Sequence, residues 1–334
     1  MRIYASIALL IVATVATPPA RGAEYVCSPI DLRDPGKSME HVPVRNQQDI
    51  GDCYAQAAVQ MVDAWRFSHG DTRYNHLTSA LEAAAGMRAT HAHYYDVEHP
   101  LNGGTICDTI DYLRSAGSCD ERAVYRDYDL YASLSPDHYV RQLGKYYQDW
   151  TADGAIQVSS CLKNDLGMPE KFLPSTEAIT KLLDQDNPEI FIEGIIGSHC
   201  GENQIPLSSV PACSPPESPA KKNTPQEISA LLHRPNAQPI GISYWSGFLQ
   251  KGGSYSMHDR PHGSLIIGQR KRGDQCQYLI RNSYGPGKDG YSPDWEADGG
   301  DIWVDADVVA KNLIQFTTLA PDLGSSQSRK PSPK

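Results

Sequence analysis

Cys53 stands six residues after Gln47 in Gln47-Gln48-Asp49-Ile50-Gly51-Asp52-Cys53-Tyr54, and it opens an alanine-rich amphipathic run. A thiol in the first turn of a helix feels the helix's positive end, which lowers its pKa and favours the nucleophilic thiolate. An amide side chain a short loop upstream can donate a hydrogen bond to an oxyanion forming on an attacked carbonyl. The chain must then supply a base and a group to orient it. His262 directly precedes Gly263 and an apolar run, which fixes the imidazole on a rigid element. His258, four residues earlier in His258-Asp259-Arg260-Pro261-His262, is the rival, but charged and turn residues follow it, so His262 is taken as the base. Asn282, in Arg281-Asn282-Ser283-Tyr284-Gly285, is the candidate orienter. Its amide oxygen can accept from one imidazole nitrogen and leave the other facing the thiol, while Tyr284 can shield that bond from water.

The elements that must position these groups fall into two kinds. Residues 24–47 read as extended, with a turn at Asp34-Pro35-Gly36. From Cys53 to about Phe67, Ala57, Met61 and Ala64/Trp65 recur at helical spacing. Leu77 to Met87 and Thr105 to Ala116 predict two more helices, the second ending at Gly117. The last third changes character. Pro239 to Tyr244, Gly263 to Gly268, Gln277 to Arg281 and Asp301 to Val304 are short apolar or alternating runs bounded by turns, the pattern of strands. A helical half followed by a β half predicts an α+β protein with the reactive residues drawn from both. Between them, Asp120 to Lys222 is hard to assign beyond helix-like pieces at Tyr139 to Trp150 and Thr176 to Leu183. The Ser/Pro/Lys-rich tail 324–334 reads as disordered.

With these residues in hand, the chain resembles the papain-like (cathepsin-type) cysteine proteases. The resemblance is carried by Asp31-Leu32-Arg33, Pro43-Val44-Arg45-Asn46-Gln47, Gly51-Asp52-Cys53-Tyr54-Ala55, Asn102-Gly103-Gly104, His262 with its glycine and strand, and Arg281-Asn282-Ser283-Tyr284-Gly285. The order Gln, Cys, His, Asn matches the family. The resemblance implies a helical left half and an antiparallel, β-barrel-like right half, with the active site in the cleft between them. It makes Cys53 the nucleophile, His262 its ion-pair partner and later general acid, and Asn282 the orienter of His262. Gln47 and the Cys53 N–H would form the oxyanion hole. Gly103 and Gly104 match the glycine pair along which an extended substrate lies, Pro261 adjoins the place where the second substrate side chain is read, and Tyr284 stands where the family has tryptophan. The implied reaction is peptide hydrolysis through a thioester, by an exported monomer acting on proteins or peptides without a cofactor. A transferase on the same scaffold and a catalytically silent peptide-binding relative are the alternatives.

The departures are informative. Ile50 and Leu101 occupy the two places where the family has a disulfide, which predicts a packed aliphatic contact instead. Asp52 puts an acid beside the nucleophile, expected to raise the thiol pKa unless it points to solvent. His262 and Asn282 lie 209 and 229 residues after Cys53, against about 130–150 in the family pattern. The excess predicts one domain over 24–320 with an insertion at about 140–222. Only Glu24 to Asn46 precede the motif, so either no zymogen step exists or the insertion covers the cleft. Endo- and exopeptidase action are not separated.

Residues 1–23, with Arg2, an apolar run and small residues up to Ala23, read as a secretory signal peptide, cut after Ala23, Ala20 or Ala16. Their removal leaves 28 Lys+Arg against 40 Asp+Glu, a net charge of −12. That argues against nucleic acid or an anionic membrane as partner and fits a secreted or periplasmic protein. Apart from Cys53, seven cysteines remain, so at least one stays unpaired; Cys200–Cys213 is the expected local bridge, and Cys107–Cys119 is not expected. His91, His93 and His99, near Asp96 and Glu98, read as a tyrosine-rich loop rather than metal ligands. No Walker-type loop, Gly-x-Ser-x-Gly elbow or His-Glu-x-x-His occurs.

Overall fold

The structure, a computed structural model, describes residues 27–91, 99–124, 135–149, 154–185, 187–201, 203–214, 224–250, 261–287 and 291–320. The expected signal peptide, the tail 324–334, His93, Asp96, Glu98 and the rival base His258 lie outside the described residues.

The chain is α+β. Helix α1 (Cys53–Ser68) is the central element: nearly every side chain is buried, including Gln56, Gln60 and Asp63. Such all-round burial explains why its sequence carries small alanines rather than one wide apolar stripe. Helices α2 (Ala80–His91) and α3 (Ile106–Ala116) pack on it. Helix α3 has the ends predicted for it, since Thr105 Oγ1 accepts from the Asp108 N–H at 3.0 Å and Gly117 closes it at φ 80°.

The β half is an antiparallel sheet of β4 (Ile240–Trp245), β5 (Pro261–Arg272), β6 (Gln275–Arg281), β7 (Glu296–Asp298), β8 (Asp301–Asp305) and β9 (Leu313–Thr317), in the order β7-β8-β6-β5-β4-β9. Short β1 (Ile30–Asp31) adds to β5. The two ends of that order, β7 and β9, do not pair, so among the described residues the sheet is open rather than a closed barrel. Helix α1 packs across β4 and β5, which brings its first turn to the start of β5. Buried ion pairs lock this arrangement. Arg281 at the end of β6 makes a two-toothed contact with Asp301 (2.7 and 2.8 Å) and donates to the Val42 carbonyl. Arg45 joins Asp63 of α1 to Glu121.

The stretch that resisted assignment is helical: α4 (Pro136–Gln148), α5 (Gly154–Asn164), α6 (Thr176–Leu183) and α7 (Pro188–Ser198). Helix α7 packs on α2 and α4 on α7, so this group extends the helical half outwards. Later α8 (Thr224–Leu232) and α9 (Ala306–Asn312) flank the sheet. No described helix is long and apolar enough to cross a membrane.

The disulfides are Cys27–Cys276, Cys107–Cys213 and Cys119–Cys200, so the expected Cys200–Cys213 bridge is corrected. The reason is a pairing too short to leave a sequence signal. Strand β2 (Ser118–Cys119) zips to β3 (Gln204–Ile205), and that lays Cys200 beside Cys119. Cys213 meets Leu319 in an isolated bridge and reaches Cys107 on α3. Cys107 and Cys119 are not partners, and Cys161 is the unpaired thiol the odd count required.

Candidate active site

Cys53 is the first residue of α1 and carries a free, half-buried thiol. The aligned peptide dipoles make the start of a helix its positive end, and the sulfur is carried there. His262 is the second residue of β5, opposite Tyr244 on β4, and is 8 % exposed. The Cys53 thiol and the His262 ring act electrostatically on each other. Asn282, fully buried just beyond β6, completes the line: His262 Nε2 donates to Asn282 Oδ1 at 2.6 Å. The Ser283 N–H donates to the same oxygen at 2.8 Å, which fixes which end of the amide faces the ring. The nitrogen left for the thiol is therefore Nδ1.

Charge balance follows from these contacts. Burial pushes the Cys53 thiol up, but the His262 imidazolium and the Gly263 N–H outweigh it, and the net shift is down from the ordinary 9.0. Gly263 N–H donates to Cys53 Sγ at 3.3 Å. Burial likewise lowers His262, yet the adjoining thiolate and Asn282 raise it above 6.5 overall. The pair thus favours thiolate with imidazolium. Gly263 is required by closeness: a Cβ there would lie 3.1 Å from Tyr54 Cα and 3.2 Å from Tyr54 N.

Gln47 is held from both ends of its amide. Its Nε2 donates to the Ile50 carbonyl at 2.6 Å and its Oε1 accepts from Ser283 Oγ at 2.5 Å, leaving a second amide hydrogen for another acceptor. The backbone beside it is pinned as well, since Gln47 N–H donates to Ser283 O and Asn46 bridges Tyr284.

Asp52 does not point to solvent. It is 1 % exposed, one oxygen accepts from Gln56 Nε2 at 3.0 Å, and the other has no partner. Burial pushes its carboxyl up to about 7, against the hydrogen bond from Gln56. Its charge acts to raise the Cys53 thiol, as the sequence led one to expect, but His262 prevails.

A cleft of about 780 Å³ is lined by Gln47, Cys53, Gly103, Gly104, Pro261, His262 and Tyr284, with Asn282 buried behind His262. All the residues named from the sequence for catalysis or substrate binding therefore converge. Tyr284 lies 5.2 Å from the His262 ring and stacks on Tyr291. Ile50 and Leu101 are both buried in the core, at 3 % and 2 %. The residues next to them, Gly51 and Asn102, meet closely. A Cβ on Gly51 would overlap the Asn102 side chain, so only glycine lets that side chain lie across the turn. Trp245 does not line the cleft, nor does any described residue of 140–222. The other cavities carry less chemistry: one of about 440 Å³ includes Cys161, whose thiol is pushed up by burial and by Asp165.

Several contributors were missed. Ser264 donates to Asn282 Oδ1 at 3.2 Å and pairs with Tyr244 Oη at 2.8 Å. A strand's two-residue period puts His262 and Ser264 on one face, so the signal was available. Ser283, 236 residues from Gln47 in sequence, gave none.

No family model matches the sequence, and no curated protein matches it. Among solved structures, one concerning the mite allergens Blo t 1 and Der p 1 is similar at TM-score 0.47 and 13 % identity, over 91 % of this chain and 74 % of that one. A digestive procathepsin L 3 of Tenebrio molitor larval midgut gives 0.46 and 12 %, over 89 % and 73 %. A Carica candamarcensis cysteine protease in complex with E-64 gives 0.45 and 14 %, over 88 % and 98 %.

Proposed function

We propose that this chain is an exported, papain-like cysteine peptidase. The observation that carries the reading is the line from the Cys53 thiol at the start of α1, through His262, to the fixed Asn282 oxygen 2.6 Å from Nε2. In this reading the Cys53 thiolate attacks a peptide carbonyl. The Cys53 N–H and the second Gln47 amide hydrogen receive the oxyanion. His262 gives its Nδ1 proton to the departing amine, leaving a thioester on Cys53. Water then attacks the thioester as His262 takes a proton from it, and the acid product leaves with the thiolate restored. An extended substrate would lie along Gly103–Gly104. Export is supported by three disulfides that tie distant segments, a pattern of oxidising compartments. The helices α4–α7 lie largely within the span 140–222 and are the body of the proposed insertion.

The test is covalent labelling by an epoxysuccinyl thiol-protease inhibitor under reducing, mildly acidic conditions, followed by peptide mapping. An adduct on Cys53, with peptide cleavage lost in Cys53→Ser, is the expected result. Absence of the adduct would favour a silent peptide-binding protein, and cleavage by Cys53→Ser would remove the nucleophile assignment.

A further inference from the structure

The turn that carries Gly103 and Gly104 is held from several sides. Tyr54 Oη donates to the Leu101 carbonyl at 3.1 Å. Gly104 is packed so closely on Met87 and Tyr54 that a Cβ would overlap both. Gly103 is different: it is at φ 80°, and nothing lies near where a Cβ would be. Its carbonyl is held by a charge. Arg88, near the end of α2, donates from Nη1 to Gly103 O at 3.3 Å and from Nη2 to Glu189 Oε1 at 2.8 Å.

Glu189 belongs to α7, in the group of helices that lengthens the chain between Cys53 and His262. It is buried, and its position is fixed locally. Asn187 Oδ1 accepts from the Glu189 and Ile190 N–H groups (2.8 and 3.3 Å), and Pro188 sets the first turn. A second contact reaches the cleft loops from the same group: Ser135 Oγ, capping α4, donates to Asp49 Oδ2 at 3.1 Å, within the Gln47–Cys53 loop. The added helices therefore reach two loops that border the cleft, directly at Asp49 and through Arg88 at Gly103.

We propose that Arg88 and Glu189 are positioning residues for peptide binding, the ion pair holding the Gly103 carbonyl so that the Gly103–Gly104 edge keeps the shape an extended substrate needs. The proposal rests on the peptidase reading. It differs from a plain staple between α2 and α7, because a staple has no use for the bond to Gly103. It also gives the added helices a part in substrate affinity while they stand clear of the cleft.

The experiment uses the full chain, two probes of Cys53, and two variants. An epoxysuccinyl reagent bearing a short peptide reads the turn through its half-saturation concentration. Iodoacetamide, too small to reach the turn, reads the thiol. Arg88→Lys keeps the charge and loses the fork. The exchange Arg88→Glu with Glu189→Arg restores the pair and removes the donor to Gly103. Expected in both is a half-saturation concentration about tenfold higher, equivalent to ~1.4 kcal/mol, with the limiting inactivation rate and the iodoacetamide rate within about twofold. The exchange should also melt within about 2 °C of the parent. Unchanged half-saturation in Arg88→Lys, or its full recovery in the exchange, overturns the proposal while leaving the peptidase reading intact. A parent protein alkylated by iodoacetamide at Cys53 but never saturated by the peptide reagent overturns both.

Discussion

Consider Asp52→Asn, which keeps the shape of the side chain and removes its charge. The carboxyl lies buried one residue before Cys53, with one oxygen on Gln56 and the other unpartnered. Burial raises its pKa from 3.8 to about 7. The unfolded chain ionises this group near 3.8, so the folded chain keeps a proton that the unfolded chain has lost throughout the interval from about 4 to 7. The sign is then fixed: the carboxyl imposes no penalty below the unfolded value, and stability declines as pH rises towards the folded value and stays low above it. Three units at ~1.4 kcal/mol each set an upper limit of about 4 kcal/mol. Relaxation and the new amide's own buried N–H groups reduce that to about 1–3 kcal/mol. Urea melts of the variant and its parent, both in a Cys53→Ser background to prevent self-cleavage, would be compared at pH 4 and pH 8. The advantage of the variant should appear at pH 8 and shrink or reverse at pH 4. Equal differences at the two values, or a variant weaker at pH 8, would refute a buried, reluctantly charged carboxyl.

Two more outcomes follow from the same site. Gly263→Ala should force β5 away from the first turn of α1, since the Tyr54 backbone 3.1–3.2 Å from the new methyl cannot yield as a side chain would; the cost should be about 1–3 kcal/mol in stability, with a higher thiol pKa and slower alkylation at neutral pH. Reaction of Cys53 with iodoacetamide, followed against pH, should begin below the ordinary thiol value of 9.0 and change again where His262 titrates, above 6.5; Asn282→Ala should draw the second step downwards, whereas a single step near 9.0 in the parent would remove the thiolate–imidazolium pair.

The parts of the site legible in the sequence were those fixed by neighbours along the chain. A cysteine at a helix start, a histidine at the head of an apolar strand and an asparagine at a strand's end each carry local cues, and the three came together, Cys53 and His262 on the cleft and Asn282 behind them. Helix α3 was legible for the same reason, through Thr105 and Gly117. What escaped depends on partners distant in sequence. Asp52 has its one partner, Gln56, a helical turn away, but the burial of both is set by the elements packed around α1. The two-residue β2–β3 ladder is too short to show as a pattern, yet it decides the disulfides. Helix α7 offered Asn187-Pro188 as a start signal, but Pro188 to Ser198 is a short apolar run with two glycines, ambiguous between strand and buried helix until α2 is placed beside it.

The bridge between Cys27 and Cys276 has a consequence for a chain that has been nicked. It joins a residue ahead of Cys53 to one beyond His262. Any single cut between residues 54 and 261 therefore yields two chains that remain one molecule, with Cys53 on one and His262 on the other. The inner bridges Cys119–Cys200 and Cys107–Cys213 are nested within that span without crossing it, so each also retains whatever is nicked between its own ends. Broken backbone in helices α4–α7 would not by itself set Cys53 and His262 adrift from each other; all three sulfur–sulfur bonds, which nest around those helices, would have to be reduced as well.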